Sequence, residues 1–424
     1  MRNTSVSAAE AVAVIPEGAR IVVPPGPASP NALLAAVGDR TWSSPIELYC
    51  GAGRLPKSIL ENRDIRIFDW QFGPGARSLF LSGRVDYVPL RYSDFPRAFG
   101  REGALAADVL LMQIPSIDEG RVSPGLCGAI GFDVCDSVPI ALAEVNHALP
   151  FTRSVREYRS SALDATVEVS EPLGHMPRQA ASESELAVAR NVASVVPDGA
   201  TLQFGTGSVV EAVLSLLGDH QNLGIHSGMV TEGIWPLIQS GAINNARKGY
   251  LDGVTVSGMV AGSGSFLQFI ERNDEFMVVP AAISHGVDIL TKLQVFTTIN
   301  SAIEVDLTGQ VNAEYLGGSQ FSGVGGQADY TFAGSTSPQP NCRSIIAMPA
   351  TTADQSVSRI VPNLCHGAIV TTPRYCVDYV VTDWGVADLR FQPLRERAKR
   401  LIAVAHPAHR EALERSLAES PGPR

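Results

Sequence analysis

The stretch VPDGATLQFGTGSVVEAVLSLLG, residues 196–218, contains the pattern that determines the fold class. A Pro-acid-Gly-Ala turn precedes the apolar strand Thr201–Phe204, and the glycine-containing turn 205–208 leads into an apolar helix. The stretch IPEGARIVVPPGPASPNALLAAV, residues 15–37, has the same order of elements about 180 residues earlier. Two such strand-turn-helix segments predict two related α/β domains in tandem, the alternative being a chance match between αβ segments.

Other short strands rich in Val and Ile alternate with helical patterns, which predicts an α/β fold with open, mostly parallel, buried sheets. The predicted strands are Arg20–Val23, Ile46–Tyr49, Val109–Met112, Ser344–Ala347 and Tyr379–Thr382, and the predicted helices include Asn31–Val37 and Val209–Leu217. The Pro-, Gly- and Ser-containing segment 170–187 predicts a boundary between an N-terminal domain, 1–180, and a C-terminal domain, 181–424. Residues 393–420 predict helix that Pro407 interrupts and Pro421 ends.

Composition excludes several classes of protein. The net charge is −10 and there is no Lys/Arg cluster, which argues against a nucleic-acid partner. No apolar run approaches the roughly 18 residues of a membrane span, and the N-terminus has no secretion signal. The six cysteines form no C-x-x-C pair and neither His285 nor His366 has a metal-like partner, so no metal cofactor is predicted. These features predict a cytoplasmic protein with reduced thiols.

Two glycine-rich turns are candidate ligand-binding loops. Gly205 and Gly207 follow a strand and open a helix, so their backbone could cradle a phosphate, a carboxylate or a thioester oxygen, or the turn could carry no ligand. The absence of a full G-x-G-x-x-G argues against dinucleotide binding. The second turn either directs its N–H groups into one cavity or is a flexible surface loop. It comprises Gly323, Val324, Gly325, Gly326 and Gln327.

Two further segments contain candidate acid, base or nucleophilic groups. Glu304 and Asp306 lie at i and i+2 of a predicted strand, so they share a face and form either an acid/base pair or caps of a hairpin turn. The stretch LGIHSGMVTEGIWPLI, residues 223–238, predicts a strand 223–226 that turns at Ser227-Gly228 into an amphipathic helix. His226 and Ser227 are adjacent on a strand and therefore face opposite ways, which argues against a base–nucleophile pair.

Several segments together resemble the acetyl-CoA hydrolase/transferase family, which includes acetate-type and 4-hydroxybutyrate CoA-transferases. The resemblance covers almost the whole chain. The matching segments are GPGARSLFLSGRVDYVPLRYSDFPRAF (73–99), AEVNHALP (143–150), LQFGTGSVVEAVL (202–214), LGIHSGM (223–229), NSAIEVDLTGQVNAE (300–314), FSGVGGQADY (321–330), SVSRIVPNL (356–364) and VVTDWGVADLRFQPLRERAKRLIAVAHPAHREAL (380–413).

The resemblance implies two similar α/β domains with coenzyme A bound in the cleft between them, and a homodimer. It implies that the glycine-rich turns at Gly205 and at 323–327 line the thioester site. The family's usual chemistry is covalent: a glutamate in an Ile-His-Thr/Ser-Glu-Met turn attacks acyl-CoA, and a glutamyl-CoA thioester forms. Here Gly228 stands between Ser227 and Met229, at the position that the resemblance assigns to that glutamate.

A glycine has no side chain to acylate, so the resemblance leaves four hypotheses. The first is direct transfer of the acyl group from acyl-CoA to an amine or alcohol held where the glutamate is missing, with His226, Glu232 or Glu304 as base. The second is a thioesterase with water in that place. The third is a CoA-transferase whose nucleophilic carboxylate lies at another position, with Glu232 as the first candidate. The fourth is a CoA-binding protein without activity. The predicted partners are therefore acyl-CoA and a small-molecule acceptor.

Overall fold

The structure is a computed structural model that describes residues 5–26, 29–51, 55–73, 75–173 and 180–419. These residues form two compact units. Unit 1 contains the described residues up to 173 together with 255–286, and unit 2 contains residues 180–254 and 287–419. The chain thus leaves unit 1, builds the first part of unit 2, returns to unit 1 for one segment and then completes unit 2.

The strands are short and are distributed along the whole described chain. In chain order they are β1 (Arg20–Val22), β2 (Ile46–Cys50), β3 (Ile65–Asp69), β4 (Val85–Tyr87), β5 (Val109–Ile114), β6 (Arg121–Val122), β7 (Ile140–Asn146), β8 (Tyr158–Arg159), β9 (Ala165–Val169), β10 (Thr201–Phe204), β11 (Gly224–Thr231), β12 (Thr255–Ala261), β13 (Phe276–Val278), β14 (Phe296–Asn300), β15 (Glu304–Asp306), β16 (Val311–Asn312), β17 (Tyr315–Leu316), β18 (Ser319–Gln320), β19 (Arg343–Ala347), β20 (Ile360–Val361), β21 (Tyr379–Thr382) and β22 (Gly385–Asp388).

The helices alternate with these strands. They are α1 (Ala8–Val12), α2 (Asn31–Asp39), α3 (Lys57–Glu61), α4 (Ala76–Leu81), α5 (Phe95–Phe99), α6 (Gly131–Val134), α7 (Glu183–Ala193), α8 (Ser208–Ser215), α9 (Trp235–Gln239), α10 (Gly264–Ile270), α11 (Ala281–Ser284), α12 (Val287–Leu290), α13 (Gln327–Thr336), α14 (Leu394–Ala403) and α15 (Pro407–Glu419). Single 3-10 turns cover Tyr92–Asp94, Ser160–Ala162, Glu232–Ile234 and Arg374–Cys376. None of the helices in the described part of the chain is long and apolar enough to span a membrane.

Unit 1 is built on a seven-stranded sheet with the order β4-β3-β2-β1-β5-β7-β9. Every neighbouring pair in this sheet is parallel. The strands β12 and β13 form a further parallel pair in the same unit. The first strand, β1, lies between β2 and β5, so the chain extends the sheet in one direction through β4 and afterwards in the other through β9.

Unit 2 repeats this arrangement with the order β11-β10-β14-β19-β21-β22. The first four pairs are parallel, and the edge strand β22 is antiparallel to β21. The first strand, β10, lies between β11 and β14, as β1 lies between β2 and β5. The predicted fold class, α/β with two similar open units built on largely parallel sheets, is confirmed.

The strands form where the sequence predicts them because they are apolar on both faces, as strands covered by helices must be. All six residues of β5 are buried. In unit 1 the core contains Ile21, Leu48 and Leu142. In unit 2 a core cluster contains Ile346 and Val380. Burial of each such side chain contributes roughly 1.5–3 kcal/mol before the entropy of ordering is counted.

The C-terminal helices also follow the prediction. The α14 helix ends at Ala403 and α15 begins at Pro407, because proline tolerates the first helical position but not the interior. The predicted stop at Pro421 lies outside the described residues, and so do residues 174–179 of the predicted boundary segment. The division into domains 1–180 and 181–424 therefore stays a prediction.

Candidate active site

The candidate site of unit 2 begins at the point where the order of the strands reverses. In open α/β sheets, ligands bind outside the carboxyl ends of the strands at this reversal. In unit 2 the reversal lies at β10, which pairs with β11 on one side and β14 on the other. At the ends of β10 and β14, Gln203 and Asn300 are buried and exchange two side-chain hydrogen bonds of 3.4 and 3.1 Å.

The turn that follows β10 is open above its glycines. A Cβ atom added to Gly205 or Gly207 meets no atom within 4 Å, so both positions face free space. Gly207 has a φ of +128°, a conformation that side chains rarely adopt, and it is the N-cap of α8. The Gly205 N–H donates to Ile299 at 3.3 Å, which anchors the turn to β14. The turn at the N-terminus of α8 is therefore accessible, and its role as a cradle for a ligand stays a prediction.

The strand β11 corrects one prediction. It continues without interruption from Gly224 to Thr231, so Ser227 and Gly228 lie inside a buried strand, and the predicted turn there is wrong. The change of direction comes at the 3-10 turn Glu232–Ile234, and α9 follows with Pro236 in its first turn. The β-branched residues after Gly228 favour extended backbone, which explains why the strand extends past the glycine.

Ser227 holds β11 against β10. Its hydroxyl donates to the Phe204 carbonyl at 3.1 Å and accepts the Phe204 N–H at 3.4 Å. Because both contacts go to the neighbouring backbone, Ser227 has a structural role and is a poor nucleophile. The next residues are Gly205, which follows β10, and Gly228, which lies within β11. The parallel register therefore places the two glycines side by side at the carboxyl end of β10.

His226 shares the face of β11 with Gly228, because residues two apart point to the same side of a strand. The imidazole is fully buried. Its ring centroid is 6.3 Å from that of Tyr250, with the planes inclined at 53°. His226 is thus the titratable side chain nearest in sequence to Gly228 on this face.

A carboxylate that the sequence did not single out lies at the end of β11. Glu211 Oε1, on α8, accepts the Thr231 hydroxyl at 2.6 Å. A Cβ atom on Gly233 would be 2.6 Å from Glu211 Oε2, so that glycine permits the carboxylate to approach the backbone closely. Thr231 and Gly233 flank Glu232, a predicted site residue that is half-buried. Two carboxylates, Glu211 and Glu232, are therefore associated with the turn that follows β11.

The second predicted loop opens α13. Gly325 has a φ of +56°, and Gly326 is the N-cap of the helix. Gln327 Nε2 donates to the Thr372 hydroxyl at 3.1 Å, while Gly323 and Val324 are half-buried. The α13 helix connects β14 to β19 within one parallel sheet, so its N-terminus lies at the carboxyl edge of that sheet, the edge that also carries Gly205 and Gly228.

The two carboxylates of β15 hold loops in place. Glu304 Oε1 accepts Asn312 Nδ2 at 3.0 Å and the Cys365 N–H at 3.1 Å. Asp306 accepts four hydrogen bonds of 2.7–3.0 Å from the backbone and side chains of Thr308 and Gln310. These contacts match the hairpin-capping alternative for Asp306. The hydrogen bonds that Glu304 accepts from Asn312 and Cys365 give it a structural role. Its catalytic role stays a prediction.

Two cationic side chains lie near these elements. Lys248 is fully buried, and its Nζ donates to the carbonyls of Ile225, at 3.1 Å, and Val254. Burial lowers the pKa of Lys248 to about 7. Burial lowers the pKa of the Arg359 guanidinium, and the charge of Glu185 opposes this only in part. The same Glu185 accepts the hydroxyl of Ser208, the first residue of α8, at 2.5 Å.

The site contains no evident place for a metal ion. Across the described ranges, no group of three or more His, Cys, Asp or Glu side chains has a metal-binding arrangement. The groups gathered at the carboxyl edge of the unit 2 sheet are glycine-rich turns, a histidine and carboxylates. Such a set suits an acyl compound, whose carbonyl oxygen binds backbone N–H groups and whose partner needs a base.

Known proteins share this fold and much of this sequence. Residues 262–417 match the acetyl-CoA hydrolase/transferase C-terminal domain. The 4-hydroxybutyrate coenzyme A transferase of Clostridium kluyveri is 38% identical over 80% of this chain and 79% of its own length. The succinyl-CoA:acetate/propanoyl-CoA:succinate CoA transferase of Fasciola hepatica is 33% identical over 96% of this chain and 86% of its own. The crystal structure of RipA from Yersinia pestis superimposes with a TM-score of 0.90 at 29% identity, covering 99% of this chain and 97% of that one.

These matches define a class of enzymes that act on acyl-CoA thioesters. The chain belongs to the acetyl-CoA hydrolase/transferase family, as the resemblance in its motifs predicts. It is an acyl-CoA transferase-type enzyme with the α/β fold of CoA-transferases.

Proposed function

We propose that this enzyme transfers the acyl group of an acyl-CoA directly to an amine or alcohol, without a glutamyl-CoA intermediate. The observation that carries the proposal is Gly228. It is buried in β11 next to Gly205, whose side-chain direction faces free space. An acceptor molecule occupies the place of the missing carboxylate, and the acyl carbonyl oxygen binds backbone N–H groups of the glycine-rich turns.

The proposed reaction forms one bond to the acyl carbon, breaks the thioester bond and moves one proton from the acceptor to coenzyme A. The acceptor nitrogen or oxygen attacks the thioester carbon, and its proton passes to a base on the enzyme. The thioester bond then breaks, and the thiolate of coenzyme A takes up a proton. His226 is the first candidate for the base because it shares a face of β11 with Gly228, and Glu232 is the second. General-base catalysis of this kind contributes roughly 10²–10⁴-fold in rate.

Product analysis tests the proposal. Full-length enzyme is incubated with a panel of short-chain acyl-CoAs, with and without simple amines, alcohols and carboxylic acids, and both protein and products are analysed by mass spectrometry. We expect a new amide or ester and free coenzyme A, with no covalent change in the enzyme. A glutamyl thioester that borohydride reduces or hydroxylamine cleaves would contradict direct transfer.

Two variants at one position sharpen the test. G228E restores a carboxylate, whereas G228Q adds a side chain of the same shape that cannot form an acyl anhydride. We expect G228E, and not G228Q, to gain exchange of coenzyme A between acyl-CoA and acetate and to lose transfer to the amine or alcohol. Equal acceptor transfer in wild type, G228E and G228Q would show that the acceptor does not occupy this position.

A second candidate function is transfer of coenzyme A between carboxylic acids by a displaced nucleophile. The observation that favours it is the Glu211 carboxylate, which contacts Thr231 and Gly233 on either side of Glu232. The name of the Fasciola hepatica relative describes transfer of coenzyme A between carboxylic acids. Under this alternative, E211Q or E232Q abolishes a trappable enzyme thioester, and the wild type forms it without any amine.

The remaining alternatives are distinguished by the same assay. Release of free acid and coenzyme A without any acceptor indicates a thioesterase, and binding of coenzyme A without turnover indicates a non-catalytic protein. The proposal further includes coenzyme A as substrate, no metal cofactor, a homodimer and a cytoplasmic location. Light scattering of the purified chain tests the dimer, and activity after treatment with a chelator tests the absence of a metal requirement.

A further inference from the structure

Three polar side chains of unit 1 form a continuous hydrogen-bonded series that the proposed function does not use. Ser116 Oγ is 2.8 Å from His147 Nδ1. His147 Nε2 is 2.8 Å from Glu168 Oε2. Ser116 follows β5, His147 follows β7 and Glu168 lies near the end of β9. The three strands are adjacent and parallel, so the side chains meet at one edge of the sheet.

The series has the order nucleophile, base and orienting carboxylate. When His147 Nε2–H donates to Glu168, Nδ1 is unprotonated and accepts the proton of the Ser116 hydroxyl. This relation activates serine in hydrolases, although there the two ring nitrogens usually have the opposite assignment. The side chains of His147 and Glu168 are 57% and 48% exposed. They therefore contribute little to the core, and a substrate can reach them.

A cavity of about 520 Å³ adjoins the series. His147 forms part of its wall, and Gln268 and Glu271 provide polar groups. The apolar wall consists of Ala148, Leu149, Pro150, Leu173 and Leu267. Pockets that bind small molecules have volumes of roughly 300–1,000 Å³ and mostly apolar walls with a few polar groups, so this cavity suits a short acyl chain.

We propose that Ser116 is the nucleophile of a hydrolytic site for small carboxylic esters or thioesters, with His147 as general base and Glu168 as a positioning residue. Ser116 Oγ attacks the carbonyl carbon and its proton passes to His147 Nδ1. The protonated imidazole gives that proton to the departing alcohol or thiol, and an acyl-serine remains. Water then attacks the acyl-serine, His147 accepts its proton and returns it to Ser116, and the carboxylic acid leaves.

This site uses residues of unit 1 alone and does not depend on Gly228 or on the proposed acyl transfer. The full-length chain is treated with a fluorophosphonate probe and with p-nitrophenyl butyrate, and the modified residue is located by peptide mass spectrometry. We expect one adduct on Ser116, and a loss of ester hydrolysis of about 100-fold or more in S116A and H147Q. The S82A variant removes an exposed serine whose hydroxyl donates to the Leu79 carbonyl, and serves as the matched control.

The positioning role of Glu168 is tested by a measurement other than loss of activity. E168Q should slow p-nitrophenyl butyrate hydrolysis about tenfold through kcat, with KM unchanged, and E168D should restore most of the rate. Acyl-CoA turnover with an acceptor should stay the same in S116A, which separates this site from the proposed function. An adduct on a residue other than Ser116, or equal rates of labelling in wild type and H147Q, would overturn the proposal.

Discussion

The N-terminus of the helix that follows the first strand of the sheet is closed in unit 1 and open in unit 2. In unit 1 the N-terminus of α2, after β1, is closed by the buried Glu144, whose Oε1 accepts the Leu33 N–H at 2.7 Å. Gln113 donates to the other carboxylate oxygen at 3.0 Å. In unit 2 the N-terminus of α8, after β10, has the open positions Gly205 and Gly207. The carboxylate of Glu185 reaches α8 only through the Ser208 side chain, as far as the described residues show.

The difference indicates which turn is available to a ligand. Backbone N–H groups at a helix N-terminus favour negative charge. In unit 1 the protein itself supplies the carboxylate, which turns the helix end into a part of the core. In unit 2 free space remains above the glycines, so an oxygen of a substrate can take the equivalent place. One fold therefore provides both a closed and an open version of the same turn.

Removal of the carboxylate in unit 1 should have the largest effect. E144A removes the acceptor of the buried Leu33 N–H and one of the two acceptors of the Gln113 amide, so we expect a loss of about 3–4 kcal/mol in the free energy of unfolding. Urea denaturation followed by circular dichroism measures it. A loss below about 1 kcal/mol would mean that Glu144 does not close the helix end.

The same residue gives a pH dependence. Burial raises the pKa of Glu144 to about 6, against the hydrogen bonds from Leu33 and Gln113 that lower it. A carboxyl whose folded pKa exceeds its unfolded value of 4.5 stabilises the fold below that value and loses this contribution as pH rises through about 6. From below pH 4.5 to above about pH 6, the free energy of unfolding of the wild type should fall by about 2 kcal/mol relative to that of E144Q. Parallel stability curves for the two proteins would contradict the assignment.

A carboxylate added to the open turn should close it. G205D places an acid beside the N-terminus of α8, where it competes with the substrate oxygen, and the position has room for it. We expect kcat/KM for acyl-CoA to fall about 100-fold, with the free energy of unfolding unchanged within about 0.5 kcal/mol. G205N is the neutral control of the same shape and should lose about tenfold. Equal losses would show that volume rather than charge matters.

At Gly207 the effect of backbone strain on stability can be measured separately from the effect of crowding. Its Cβ position is empty, but its φ of +128° disfavours any side chain. G207A should therefore lower the free energy of unfolding by about 2 kcal/mol, whereas G218A, which also meets no atom within 4 Å and lacks a positive φ, should change it little. Thermal or urea unfolding of both variants checks this difference.

The smallest effect is expected at Ser227. S227A removes the hydroxyl that bridges to Phe204 and should cost about 1 kcal/mol in stability. Because its contacts are structural, we expect kcat to change less than about threefold, which is far below the effect of a lost nucleophile. A fall of 100-fold or more in kcat, with intact stability, would return Ser227 to the list of catalytic residues.

The sequence predicts the elements whose signals are local. Buried parallel strands such as β5 are apolar throughout, and the glycine turn before α8 is visible from Gly205 and Gly207 alone. The prediction fails at β11, where Gly228 suggests a turn but the bonds between Ser227 and Phe204 keep the strand paired. That contact joins residues 23 positions apart, so no local pattern reveals it.

Long-range contacts also explain what sequence reasoning missed or left open. The Glu211 carboxylate is held by Thr231, 20 residues further along the chain, and its close approach to the backbone is permitted by Gly233. Asp306 differs, because its hydrogen bonds with Thr308 and Gln310 are local and the spacing alone is compatible with both the acid/base and the capping role. Its position in the first turn of the helix that follows a glycine turn would have been a usable signal for Glu211, since this turn lies at the ligand-facing end of the helix.

The contact between Gly224 and Lys248 limits the paths by which this sequence can change. A Cβ atom on Gly224 would lie 2.5 Å from the Lys248 side chain, whose amine bonds the carbonyls of Ile225 and Val254. A larger residue at 224 is therefore tolerated only after the lysine has become smaller, whereas the lysine can change first. The two positions should vary together among relatives, and in that order.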